Sequence, residues 1–422
     1  MQTDFRSQPG YLLLAVLGSV FLCSSAAGSR TQTVVWNFSN TNGDGANPNT
    51  NSLISDGKGN LFGLTVEGGS SNCMFGCGVA FELSPNGSGG YDETILHDFT
   101  GTNGDGAGPV GGLLFDQHGN LYGTTIGGGA NGTGTVYELS PNSGGGWTET
   151  ILYNFGVVGS GDATYPRSGL IMDSVGNLYG AASGGGTNSG RCGPGCGTVF
   201  ELSPSGGGWT ETILHRFRGT GGRYNGDGSG PNGVTFDALG NLYGSTVQGG
   251  IRQNDGTVFK MKHTKTGWVE SVLYSFPGGD SGMNPEANVI VDKAGNIYGT
   301  CLQAYGSVWE LVRSGNAFTL QVLHAFSLNE ANQPGGIAMN AAGNIFGAAT
   351  TGPYGCNGCG ALYKLTKSGT TWSEKVLHSF TGGADGGNPS LGAPLLDPSG
   401  NIFGLTDGGG TFGFGVVFEN IP

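Results

Sequence analysis

The chain has 422 residues, 88 of them glycine, with only 11% charged residues and a formal net charge of −13. So acidic and cation-poor a chain has no basic stripe to release counterions from nucleic acid or to grip an anionic membrane, which excludes nucleic acid as an expected partner. Glycine at this density would mark low complexity in an aperiodic chain, but here it recurs in register between short apolar and aromatic runs, the pattern of a turn-dense all-β fold.

Residues 1–27 stand apart from the rest. The apolar run from Tyr11 to Cys23 is short for a membrane span and leads into Ser25-Ala26-Ala27, which predicts a signal peptide over residues 1–27. Bulky Leu22 before Cys23 disfavours a lipid anchor there. No later segment is long and apolar enough to cross a bilayer, and the sequence ends in FGVVFENIP without a sorting tail. The expectation is an exported monomer, extracellular, periplasmic or at the cell surface, with no membrane span in its mature form.

From residue 31 onward one unit is written seven times. DQHGNLYGTT at 116–125 returns with small changes, and its Gly-Asn places anchors at Asn60, Asn120, Asn177, Asn241, Asn296, Asn344 and Asn401, 48 to 64 residues apart. Each unit holds runs like GLLFD, NLYGTT, GTVYEL and WTETILYNF, each with the length and β-branched or aromatic content of a strand. Four antiparallel strands per unit predict the blade of a β-propeller over residues 31–422, and seven blades close a ring. The first run after the signal segment, TQTVVWNF, matches the fourth run of a unit, whereas APLLD, NIFGLT and GVVFEN at the other end supply only the first three. The two fragments predict that the N-terminal strand closes the ring as the outer strand of blade seven, leaving no open edge.

The unit DxxGNLYGTT…GTVFELSP…GWTETVLYSF…DGxxP resembles the GloVer tandem repeat of bacterial choice-of-anchor exported proteins, over essentially all of the chain after the signal segment. The resemblance implies an extracytoplasmic β-propeller family without an established activity.

The candidate chemistry is sparse. Cysteines fall into close pairs in Gly-rich loops, Cys73/Cys77, Cys192/Cys196 and Cys356/Cys359, and in an exported chain these predict local disulfides rather than a zinc site. Cys301 takes the place of Thr125 in its repeat and reads as a buried free thiol. His97, His215, His324 and His378 share one fourth-strand position with Trp36, Tyr153 and Tyr274, so they read as structural. Asp56, Asp116, Asp173, Asp237, Asp292 and Asp397 end the first strand and read as Asx-turn acceptors. Glu82, Glu138, Glu201 and Glu310 alternate with Lys260 and Lys364, which suggests a solvated face. The connections between blades carry an acid four or five residues before a proline, at Asp44, Asp105, Asp162, Asp227, Asp280, Glu330 and Asp385. Turn formation is the simpler role for them, and calcium, an oxygen-loving ion, is the one cofactor they suggest. The same face should carry these connections and the cysteine loops. The resulting expectation is a non-catalytic propeller binding a protein or glycan through its disulfide-stapled loop face. The alternative is a carbohydrate-active enzyme, a lyase or glycosidase, or a lactonase on the same scaffold.

Overall fold

The computed structural model describes residues 31–49, 51–69, 73–186, 192–193, 195–219, 226–250, 255–278, 283–302, 305–327, 330, 332–351 and 359–421. Among them there is no helix; the chain forms seven antiparallel sheets of four strands, arranged as the blades of a propeller. Blade two is representative, with strands Gly106–Phe115, Leu121–Gly128, Thr135–Pro141 and Trp147–Asn154 paired in chain order from the centre outward. In blades one, three, four and seven the innermost strand is interrupted, as between Ala163–Pro166 and Ile171–Met172; in blade one its first piece, Gly45–Ala46, pairs separately with Glu67–Gly68.

The motif DxxGNLYG is explained by two local requirements. The first is the turn: Asp116 Oδ1 accepts the N–H groups of His118 at 2.8 Å and Asn120 at 2.9 Å, while Oδ2 accepts Asn120 Nδ2 and the Tyr122 hydroxyl. Gly119 closes that turn at φ +87°, a conformation that would strain any side chain. Asp173, Asp237 and Asp292 repeat the arrangement, so these carboxylates serve turns, as the sequence indicates. The second is close approach: a Cβ on Gly123 would lie 2.3 Å from the Tyr137 hydroxyl oxygen, and one on Gly404 2.5 Å from the Phe418 ring. The glycine is the seat for a third-strand aromatic side chain.

That ring is also the contact between blades. The last aromatic residue of each fourth-strand run meets the third-strand ring of the next blade edge-on. The pairs Phe38–Phe81, Phe99–Tyr137, Phe155–Phe200, Phe217–Phe259, Phe276–Trp309, Phe326–Tyr363 and Phe380–Phe418 have centroids 5.0 to 5.4 Å apart. Such a pair contributes about 0.5–1.5 kcal/mol beyond the area it buries. The core is accordingly a set of inter-blade clusters rather than one centre, as in the packing of Phe62, Leu64 and Phe99 against Leu121 and Leu139.

Ring closure follows the sequence expectation. Thr31–Asn37 pairs antiparallel with Val416–Ile421, matching Val34 to Phe418 and Trp36 to Val417, and Phe38 is fully buried. One expectation is corrected. Glu310 is not on a solvated face: it is buried and accepts the Tyr298 hydroxyl at 2.9 Å, because blade five has no lysine there and a neighbouring phenol supplies the missing donor. Glu82, Glu138 and Glu201 are half-buried, each accepting the serine hydroxyl two residues on.

Candidate functional site

A proline stands in or just before the innermost strand of each repeat, and the residue before it adopts left-handed backbone in all seven. The φ values are +52° at Asn47, +62° at Gly108, +58° at Tyr165, +64° at Gly230, +55° at Asn284, +58° at Gln333 and +54° at Asn388. A side chain in this region costs free energy unless its surroundings impose it, and here the imposition is visible. Each of these N–H groups donates to a carbonyl in the loop between strands two and three of the preceding blade. The acceptors are Phe414, Cys77, Thr133, Cys196, Asp255, Tyr305 and Cys359, at 2.8 to 3.2 Å. The result is a ring of latches around one mouth of the central channel.

Disulfides sit on these latches. Cys73–Cys77 and Cys192–Cys196 are bonded, and Cys359 is also disulfide-bonded, while Cys356 lies outside the described residues. Cys77, Cys196 and Cys359 are themselves latch acceptors, so each disulfide braces a carbonyl that holds the next blade. Cys301 is free and buried, as expected. A Cβ on Gly101, in the connection after blade one, would lie 3.4 Å from both Cys73 and Cys77 sulfurs, which puts connections and stapled loops on one face.

Deeper in the channel the backbones nearly touch. A Cβ on Gly111 would stand 1.9 Å from the Gly169 nitrogen, and one on Gly392 2.0 Å from the Asn51 carbonyl oxygen. Outside this constriction, at the stapled mouth, lies a bowl of about 580 Å³ lined by Asn47, Asn49, Gln333, Thr350, Asn388 and Asp407. Its four amide residues all stand on left-handed backbone, Asn49 at φ +45°. Leu391 separates the bowl from a cavity of about 190 Å³ that Arg167, Asn232, Glu286 and Asn288 line.

Asp407 is the unusual member. The equivalent position near the end of strand two holds Val66, Ile126, Ser183, Val247, Leu302 and Thr350 in the other blades. Its Oδ2 accepts Asn388 Nδ2 at 3.3 Å, whereas its buried Oδ1 has no hydrogen-bond partner. Burial pushes this carboxyl up to about 7, opposed by the backbone N–H of Asn49 and helped by the nearby Glu67 carboxylate.

The connection acids are not gathered into one site. Asp44, Asp105, Asp162, Asp227, Glu330 and Asp385 each lie at a different blade junction, and Asp280 is outside the described residues. Each closes its own loop: Asp44 accepts the Ser39 and Gly45 N–H groups, Asp105 that of Thr100, Asp162 that of Ala163, Asp227 that of Arg218, Glu330 that of Ser327 and Asp385 that of Thr381. The fourth-strand histidines turn out to be their partners. His97 Nε2 lies 3.3 Å from Asp105, His215 3.1 Å from Asp227, His378 3.0 Å from Asp385 and His324 3.5 Å from Glu330.

A second acid joins five of these junctions from the next blade's outer strand, at Glu93, Glu149, Glu211, Glu270 and Glu374. Burial, then the adjoining Asp44, pushes Glu93 up to about 8; burial and the hydrogen bond to Asp162 push Glu211 to about 9. Burial likewise raises Glu149 and Glu270 to about 7, against the pull of His97 and His215. A carboxyl held protonated beside a carboxylate can donate to it, and this is how two acids share a buried junction. Where His97, Asp105 and Glu149 meet, the ligand atoms all fall within 4.8 Å of one another, the set best placed to hold a divalent cation among the described residues.

Sequence reading missed the bowl. The signal was present as Asp407 standing where other repeats place mainly Val, Ile or Leu, but it surfaces only when the seven units are compared position by position. No curated protein matches the chain. Among solved structures, an extracellular domain described as part of a one-component system of B. thetaiotaomicron aligns with TM-score 0.55 at 13% identity, over 93% of this chain and 42% of that one. The chain thus spans about two fifths of the length of that extracellular domain. The periplasmic gluconolactonase of Pseudomonas aeruginosa aligns with TM-score 0.50 at 15% identity, over 81% of this chain and 86% of that one. At these identities the likeness is one of fold. Residues 15–192 match the model of the Gloeobacter/Verrucomicrobia repeat, and a unit of the same pattern recurs through the rest of the seven-bladed ring.

Proposed function

We propose that the protein is an exported, non-catalytic binding propeller that seats its ligand, a protein or glycan, at the channel mouth on the disulfide-stapled face. One observation carries this reading. Positions that hold the blades together recur almost unchanged, whereas the residue after each proline differs from blade to blade: Asn49 lines the bowl and Arg167, Asn232 and Glu286 the cavity behind it, where the other blades place Val110, Gly335 and Ser390. A scaffold that repeats its framework and varies one surface concentrates specificity there. Backbone held in strained conformations around that mouth is consistent with a preorganised clamp.

The non-catalytic reading rests on the company Asp407 keeps. Its hydrogen-bond partners, the Asn388 amide and the Asn49 backbone, neither take nor supply a proton at ordinary pH. A carbohydrate-active enzyme or a lactonase is the second reading, favoured by the fold shared with the gluconolactonase over most of both chains. Export is supported by the disulfides and by the predicted cleavage after Ala27, and mass measurement of the secreted chain should find Gly28 at its start. The deciding experiment screens a glycan array and a panel of hydrolase, lyase and lactonase substrates together. Binding without turnover is expected; turnover abolished by Asp407→Asn would replace the binding reading with the enzymatic one.

A further inference from the structure

We infer that the ligand of the bowl is a neutral saccharide, one of whose hydroxyl groups donates to the Asp407 carboxylate on its wall. This deepens the reading above and rests on it. Burying part of a carboxyl is unfavourable, and repacking with an apolar side chain removes that cost. Blade five does so with Leu302 at the same position, so the fold does not require an acid there. An acid kept on the wall of the bowl, at a position where the fold accepts a leucine, therefore serves something other than the fold.

The rest of the wall narrows the chemistry. Asn47, Asn49, Gln333 and Asn388 present both donors and acceptors, and Thr350 adds a hydroxyl that donates to Gln333 Oε1 at 3.1 Å. A hydroxyl group both donates and accepts, so a ring bearing several matches a wall of amides as neither a pure cation nor a pure anion does. Anionic sugars face Asp407, the nearby Glu67 and a chain of net charge −13. A volume of about 580 Å³ is in the range of small-molecule sites and accommodates more than one sugar ring.

The test titrates the full chain with neutral mono- to tetrasaccharides, with glucuronate and galacturonate as anionic counterparts, by calorimetry in buffer with and without a calcium chelator. At least one neutral saccharide should bind. Its affinity should fall about tenfold or more in Asp407→Leu and in Gln333→Ala, since hydrogen bonds to charged groups contribute roughly 1.5–3 kcal/mol. His118→Ala on the opposite face should leave it unchanged, and thermal melts verify that each variant folds. Binding confined to the uronates, binding indifferent to Asp407→Leu, or binding abolished by the chelator would each overturn the inference, the last by showing that a cation mediates the contact. A purified protein ligand lost on both mouth substitutions, with no saccharide bound, would sink the inference and leave the binding seat standing. Neither kind of ligand responding to mouth substitutions would remove both.

Discussion

Asp407 ties ligand binding and stability to one side chain with opposite signs. Its carboxyl titrates at about 7 in the folded chain against about 3.9 when unfolded, so its contribution to stability is present at acid pH and is lost as pH rises through neutrality. Saccharide binding should strengthen over the same interval, as the deprotonated carboxylate becomes the better acceptor; calorimetry at pH 5.5 and 8.0 checks this. Asp407→Leu should raise the melting temperature of the unliganded protein at pH 8 by one to a few degrees, because an unpaired buried charge is replaced by the apolar side chain that blade five already uses. A lowered melting temperature would show that Oδ1 is satisfied in the free protein. The turn aspartates were readable from sequence since their partners lie two and four residues away. Asp407 was not, because its surroundings come from blades six, seven and one.

At the scale of the element, the blade junctions are the working units. Glu93 and Glu211 stay protonated in the folded state well above the unfolded carboxyl value, so each favours folding at acid pH and loses that effect as pH rises through about 8 and 9. Melting temperature should therefore decline between pH 5 and pH 9. The double variant Glu93→Gln/Glu211→Gln, neutral at all pH, should flatten that decline; an unchanged slope would mean that the acid pairs ionise freely. The aromatic contacts give a larger effect. Phe99 is fully buried against Tyr137, and Phe99→Ala should cost about 3–5 kcal/mol, measured by denaturant unfolding. The recurring phenylalanine was evident in the sequence as the end of each fourth run, and so was the glycine of NLYG. That the two meet through a third-strand ring of the next blade was not, since the contact spans two units.

For the molecule as a whole, closure depends on the strand that arrives first. Deleting residues 31–38 withdraws the partner of Val416–Ile421, exposes that edge and removes Val34, Trp36 and Phe38 from their packing. At about 1.5–3 kcal/mol per large apolar side chain, the loss approaches the whole of a typical stability of roughly 5–15 kcal/mol. The truncated protein should aggregate or melt far below the parent. Shortening the exposed Asn142–Gly146 hairpin tip should change the melting temperature little. Equal, negligible effects of both changes would remove the support for a ring closed by the N-terminal strand.

The sequence by itself determined the strand content, the sevenfold repeat, the split blade and the local disulfide pairs, because each rests on residues near one another in the chain or on a pattern written seven times. Only the tertiary structure decided where the polar chemistry gathers. The latch from each pre-proline N–H reaches back into the preceding blade, the left-handed conformation it imposes turns Asn47, Gln333 and Asn388 toward one mouth, and closure of the ring brings Asp407 beside Asn49, more than 350 residues earlier in the chain. Repetition makes an architecture legible from any one unit, whereas a site assembled from the few positions that depart from the repeat exists only once the ring has closed.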